Sequence, residues 1–394
     1  MVHPGLSMSV GFDSNVYYAS QQETDQVHQS PEGVFEPNLS VAIAEPGVWE
    51  LWGDAAVGWR QYLTDEERVR SQSGLSANLD LASRWNAEGT ASLELSNEFV
   101  RTNETPNTAS RQASNRVYNR AGATVGLHPG AGLLETYGSY DFALYRHNLF
   151  SDLDRHAHHF GWNLHWSFLP KTAFLAEVDY RAIRYDQEFR GPQVSPEGRL
   201  RNVDSDPIRV MAGLDGLVTT RVSLGLRGGY GWARYQEGPD FSGLLAQVEA
   251  SYQFGDVAFD NRLRAGYERG FRDSSIGNFY TSHRFLTGYE QGFAGNRLRL
   301  ELEADAQIRD YAPTGIDAAQ TEDHEFLFPE ALSDLLVGVS AATRMEIRKG
   351  WDVGVRYSFR SNFTEDQIVV IGPGEDVIRD YQRHHVLLST ELRY

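Results

Sequence analysis

From residue 160 to 168 apolar and polar side chains alternate. Phe160, Trp162, Leu164, Trp166 and Phe168 share one parity; Gly161, Asn163, His165 and Ser167 share the other. Successive side chains of a strand point to opposite faces, so this segment has one apolar and one polar face. A turn at Pro170-Lys171-Thr172 follows, and then Phe174, Ala176, Val178 and Tyr180 alternate with Glu177, Asp179 and Arg181. The pair reads as a hairpin. The same alternation recurs along the chain and predicts about eighteen strands. They lie near 6–18, 34–45, 48–63, 73–84, 88–101, 115–128, 132–147, 156–169, 172–186, 207–218, 221–235, 242–254, 257–271, 278–293, 296–310, 333–346, 350–362 and 380–394.

The connections alternate in length. Those near Glu45-Pro46-Gly47, Trp85-Asn86-Ala87, Pro129-Gly130-Ala131, Pro170-Lys171, Val218-Thr219-Thr220, Gly255-Asp256, Ala294-Gly295 and Arg348-Lys349-Gly350 are short; the others are longer and mostly polar. Short turns at one end, long loops at the other and an even strand number describe an all-β fold. It is a single antiparallel transmembrane β-barrel over residues 1–394, with short periplasmic turns and longer extracellular loops. Many segments run to about fourteen residues, whereas soluble strands centre on about five or six. No blade-length repeat recurs, as a propeller would require. Aromatics on the apolar face gather in two bands. Trp49, Trp85, Phe168, Phe174, Phe254, Phe259, Phe293, Trp351 and Tyr394 lie near the short turns. Trp59, Phe99, Phe142, Phe160, Trp162, Trp232, Phe271 and Phe359 lie farther along. Such bands are the girdles at two membrane interfaces.

Composition reads differently once the pattern is known. A length of 394 residues and a mean hydropathy of −0.46 suggest soluble domains, but half of each barrel strand is polar because it faces a lumen. No apolar run is long enough for a membrane helix. A net charge of −18 argues against a nucleic-acid partner, whose binding depends on neutralising phosphates. The absence of cysteine excludes disulfides, thiolate metal sites and a cysteine nucleophile. No phosphate loop or zinc spacing occurs, so no cofactor is expected. The opening Met1-Val2-His3-Pro4 leads straight into the first strand and reads as a mature sequence behind an initiator Met.

Eighteen strands enclose a bore wide enough for water. The candidate selectivity residues on its wall are Asp54, Arg60, Glu177, Asp179, Arg181, Arg227, Arg262, Arg264, Arg297, Arg299, Glu301 and Glu303. Two readings stand for them. One is a wall of cross-strand Arg–carboxylate pairs, which arginine's planar fork favours; the other is rows of one sign that choose the permeant. Arg262, Arg264, Arg297 and Arg299 lie near one short turn and predict a basic patch at the periplasmic mouth. Inward glycines, among them Gly229 and Gly231, leave bare wall. Trp52, Tyr118, Tyr137, Tyr145 and Tyr185 form a partial inward aromatic ladder.

Elsewhere the chemistry is sparse. His156 and His158 share a face, where two imidazoles could bind a metal or, more simply, meet lipid headgroups. Ser282-His283 lacks a third member for a hydrolase. Asp323-His324, or Asp380 with His384, could be drawn as a protease pair, and Glu322-Asp323-His324-Glu325 reads as solvated loop. No enzyme is expected. The apolar stretch Ile368 to Gly374 should pack, pair as a short hairpin or meet a partner.

The first strand reads Ser9-Val10-Gly11-Phe12-Asp13-Ser14-Asn15-Val16-Tyr17. It resembles the opening G-(Y/F)-D-(S/D/N)-N-V of the outer-membrane β-barrel porin family (type 2) of proteobacteria, whose members often accompany exopolysaccharide synthesis and secretion genes. The resemblance implies the outer membrane of a Gram-negative bacterium, with both termini periplasmic. Implied partners are outer-membrane lipid and lipopolysaccharide and a periplasmic polysaccharide-export protein. The barrel-insertion machinery would read the terminal Leu392-Arg393-Tyr394. The implied function is the outer-membrane component of polysaccharide export. A general or substrate-selective diffusion porin is one alternative, and a structural barrel anchoring a multiprotein envelope complex is another.

Overall fold

The computed structural model describes all residues except 20–26, 46, 104–115, 130–131, 148–153, 187–202, 237, 256–260, 275–277, 313–331, 365–368, 371–375 and 378–379. Its long strands are β1 (Val2–Asp13), β2 (Ser30–Glu45), β3 (Trp49–Tyr62), β4 (Gly74–Trp85), β5 (Ala91–Thr102), β6 (Arg116–Leu127), β7 (Leu134–His147), β8 (Arg155–Leu169) and β9 (Thr172–Tyr185). They continue as β10 (Ser205–Leu217), β11 (Val222–Tyr235), β12 (Phe241–Gln253), β13 (Arg262–Asp273), β14 (Phe279–Phe293), β15 (Leu298–Tyr311), β16 (Leu332–Arg348), β17 (Trp351–Thr364) and β20 (Tyr381–Arg393). The two-residue strands β18 (Val369–Val370) and β19 (Asp376–Val377) pair as a small hairpin within the last long connection, and α1 (Glu67–Arg70) is a single turn between β3 and β4.

The long strands form one 18-stranded sheet. Neighbours pair antiparallel, and a ladder from Gly5↔Arg393 to Asp13↔His385 joins β1 to β20, so the sheet closes on itself. Closure is what hydrocarbon demands, because an unpaired backbone group there costs several kcal/mol and an open edge is a row of them. Among the described residues no helix is long and apolar enough to cross a membrane; the strands cross it. The outward apolar side chains stay bare, with Phe160 49% and Trp59 50% exposed, a surface that only lipid covers. Trp49, Trp85, Trp162, Phe168, Phe174, Phe254, Phe293, Trp351 and Tyr394 share this outward parity, with Trp49 directly across from Trp85. Phe259 lies outside the described residues. What apolar core exists is inside, as three small clusters at the long-loop end.

The first strand ends at Asp13, not near residue 18, because residues 14–19 turn into the lumen. Asp13 and Asn15 are both fully buried. Arg383 Nε donates to Asp13 Oδ1 at 2.9 Å, and the Asn15 backbone N–H donates to the same oxygen at 3.0 Å. Asn15 Nδ2 donates to the carbonyls of Ala19 at 2.8 Å and Gln382 at 3.0 Å, while Ala19 N–H donates back to Asn15 Oδ1 at 2.9 Å. Short polar side chains that bond nearby backbone in this way compete with a ladder and make turns. Val16 and Tyr17 then pack on Tyr62 and Val69. Tyr17 O–H donates to the Arg68 carbonyl at 2.6 Å, and burial pushes its phenol pKa up, which keeps it a donor.

The second departure is Phe271, which belongs to neither girdle. The β12–β13 ladder stops at Ala246↔Arg269, while β13–β14 pairing continues to Asp273↔Phe279. Past Arg269 the end of β13 lies against the inner wall. Phe271, only 1% exposed, stacks on Phe241 with centroids 3.9 Å apart. The inward Arg209 donates to its carbonyl at 2.7 Å. The socket is the cross-strand pair Gly231↔Gly243, where a Cβ at Gly231 would fall 2.5 Å from the Phe271 ring.

Two expected outcomes test this architecture. Leu302→Arg, on the lipid face toward mid-membrane, should cost about 2–4 kcal/mol in urea unfolding from vesicles, and Gln247→Arg, on the lumen face, much less; a larger cost at Gln247 would mean the faces are reversed. In the same assay Asp13→Ala should lose about 3–5 kcal/mol by stranding the largely covered Arg383.

Candidate functional site

The site is the lumen, and its charges divide around the circumference. On β2 to β5 the inward ionisable side chains are Glu32, Glu36, Glu50, Asp54, Asp80, Glu94 and Glu98, against only Arg60 and Arg84. Arg84 Nε donates to Glu94 Oε2 at 2.9 Å, and Arg60 Nε stands 3.7 Å from Glu32 Oε2. Asp54 lies directly across from Asp80, and Asp80 from Glu98. Like charges in direct register destabilise a sheet. The Ser40 hydroxyl bonds Asp54.

At β6 the signs begin to alternate. Arg120 Nε is 4.0 Å from Glu98 and 3.8 Å from Asp141. His159 then bridges two carboxylates, with Nδ1 2.8 Å from Asp141 Oδ2 and Nε2 bonded to Asp179. Carboxylates only accept, so both ring nitrogens donate in this arrangement. Arg181 Nε is 3.3 Å and Arg209 Nη1 3.9 Å from Asp179 Oδ1, and Arg227 faces Glu177 at 4.0 Å.

Near the short turns, β13 to β20 carry arginines and carboxylates interleaved. Arg264 Nη2 is 2.9 Å from Glu290 and 3.1 Å from Glu303. Arg262 is in register with Glu290. Arg297 lies in the turn before β15, so carboxylates interrupt the sequence of four arginines. Arg344 Nη2 donates to Asp352 and Glu391, each at 2.7 Å, and Arg393 joins the same two carboxylates. Arg299 sits across from Arg344. With Glu301, Arg356 and Asp352 they line a cavity of about 270 Å³.

The inward aromatics split into two groups. At the long-loop end Tyr118 packs on Tyr145 at 4.8 Å, and the Arg155 guanidinium lies 4.5 Å from the Tyr145 ring and 5.6 Å from that of Tyr185. Tyr235, Phe241, Phe271 and Phe279 continue this layer. Nearer the short turns Arg84 stacks over Trp52 at 5.3 Å, and Tyr137 O–H donates to Glu135 at 3.1 Å. The aromatic layer narrowing the long-loop mouth is what parity alone misses; the facing Gly231 and Gly243 are its sequence signal.

The remaining candidates do not assemble. Ser282 and His283 point to opposite faces; His283 meets the Tyr267 hydroxyl at 2.8 Å, as His158 meets Tyr140 at 2.8 Å and His384 meets Tyr357 at 2.9 Å. His156 turns to Asp186 at 3.4 Å. Glu322, Asp323, His324 and Glu325 lie outside the described residues, as does most of 368–374. Among the described residues no group of three His, Cys, Asp or Glu side chains is placed to hold a metal.

His159→Ala should destabilise the barrel by about 1–3 kcal/mol, since Asp141 and Asp179 lose a shared donor. The lipid-facing His156→Ala should cost less than about 1 kcal/mol. Urea unfolding in vesicles measures both, and similar values would mean the bridge contributes nothing special.

The family described as "Putative beta-barrel porin 2" matches residues 1–249. No curated protein sequence matches the chain. Among solved structures it is similar to OccK9 (OpdG) of Pseudomonas aeruginosa, with a TM-score of 0.52 and 13% identity over 100% of this chain and 98% of that one. OpdK of the same organism, solved with vanillate, gives 0.50 and 11% over 100% and 99%. Its ferric enterobactin receptor PfeA gives 0.50 and 9% over 100% and 80%. At such identities the likeness concerns the fold, a closed outer-membrane barrel. The family match covers more than half of the chain and includes the first strand, which ends on Gly11-Phe12-Asp13. The chain is therefore an outer-membrane, porin-like channel protein that belongs to the β-barrel porin 2 family.

Proposed function

We propose that the barrel is the outer-membrane conduit of polysaccharide export. Hydroxylated chains would enter from the periplasm at the short-turn end, where both termini lie, and leave at the long-loop end. The observation that carries this reading is the charge pairing from β6 to β20. A wall whose ions bond one another offers hydrogen bonds to passing hydroxyls without gripping either sign strongly. A periplasmic polysaccharide-export protein would deliver the chain to the short-turn mouth. Outer-membrane lipid and lipopolysaccharide would cover the girdled outside, and the barrel-insertion machinery would act on the end at Tyr394. The carboxylates of β2 to β5 favour neutral over polyanionic chains.

A second reading, a substrate-selective diffusion porin, is favoured by the cavity of Arg299, Arg344 and Arg356, and OpdK was solved with vanillate. Deleting the gene separates the two: loss of surface polysaccharide with periplasmic accumulation supports export, and unchanged polysaccharide with impaired solute uptake supports the porin. In planar bilayers the protein should give a stable open current whose reversal potential in a KCl gradient is cation-selective. Replacing Asp54 and Asp80 by Asn and Glu98 by Gln should lower the cation-to-anion permeability ratio by about twofold or more. A closed barrel would instead support an anchoring role.

A further inference from the structure

On the inner wall of β7 to β11 two adjacent register rows break the charged pattern. One runs Tyr137, Asn163, Glu177, Met211 and Gly229; the next, nearer the short turns, runs His165, Leu175, Gly213 and Arg227. Leu175 and Met211 place apolar side chains on this inner wall. The glycines let their neighbours lie flat. A Cβ at Gly229 would come within 2.8 Å of Met211 Cγ, and one at Gly213 within 2.9 Å of Arg227 Cγ. Leu175, Met211 and the Arg227 stem thus give an apolar side to a niche of about 150 Å³, whose polar members include Asn163, His165 and Glu177. Tyr137 belongs to this niche and also to a larger cavity of about 590 Å³ with Arg84, His128 and Glu135 at the short-turn end. One tyrosine therefore lines both spaces.

An apolar surface beside hydrogen-bonding edges suits a ring with one apolar face and a hydroxylated rim. Glu177 and Arg227, 4.0 Å apart, offset each other's charge. Glu135, 4.0 Å from His165, adds a negative charge that opposes an organic anion. We propose that this niche is a saccharide subsite for a single uncharged pyranose unit, reached from the larger cavity past Tyr137. The proposal rests on the channel reading above and adds to it a place and a ligand class.

Single-channel recording in planar bilayers tests it, with maltohexaose as the neutral probe and vanillate as the anionic one. Maltohexaose should interrupt the current with a resolvable dwell time. Tyr137→Ala and Leu175→Asn should each shorten that dwell by about fivefold, the scale of a lost ring contact, while each variant still inserts and carries an open-channel current. That current shows the variants are folded. An open channel that maltohexaose does not interrupt, or dwell times that neither substitution alters, overturns the subsite and leaves the channel standing. Vanillate blocking where maltohexaose does not would also overturn it, in favour of an anion site. Absence of any open current overturns the channel reading and the subsite together.

Discussion

A peptide group in hydrocarbon has no water to bond, so every N–H and C=O on the membrane-crossing strands must find its partner in the sheet. The ladder between β1 and β20 meets that demand by closing the ring, and the rest of the molecule follows from it. A closed sheet has only an inside and an outside. Strand parity therefore sends every second side chain to lipid and the others to the lumen. The outside becomes a continuous apolar surface with Trp59 and Phe160 bare. The inside collects the charges, and their placement by register rather than by sequence distance makes the wall.

That logic makes the architecture legible in the sequence, down to strand number and most strand ends. It fails where side-chain chemistry outcompetes alternation. Residues 14–18 continue the run of β1 in pattern, yet Asn15 captures the backbone of Ala19 and Gln382 and turns the chain inward. Phe271 has outward parity, but parity holds only while a strand stays in the wall, and β13 leaves β12 after Arg269. The site is less legible for a related reason. Parity identifies Asp54, Asp80, Asp141, His159 and Asp179 as inward, but not their neighbours. That His159 stands between Asp141 and Asp179 depends on the registers of three strands, which alternation leaves free.

The carboxylate face of β2 to β5 has a physical reading that a soluble fold would not allow. In a dry interior, Asp54 opposite Asp80 opposite Glu98 would shift protonation or break the ladder. In a water-filled bore the same row is screened over about 8–10 Å at ordinary ionic strength. A water-filled lumen makes the row tolerable.

Strand β11 shows how one residue type shapes the bore in two opposite ways. At Gly229 and at Gly213 across the ladder, the missing side chains let Met211 and the Arg227 stem lie flat, so the wall recedes. Two residues farther toward the long loops, at Gly231, the missing side chain admits Phe271 from β13, and the bore narrows. A methyl group at Gly231 would meet the Phe271 ring and push the end of β13 off the wall, whereas one at Gly229 would run into the Val210 carbonyl and the base of Met211. The spacing of two keeps both glycines on the inner face. Recess and constriction are therefore held in fixed register along β11.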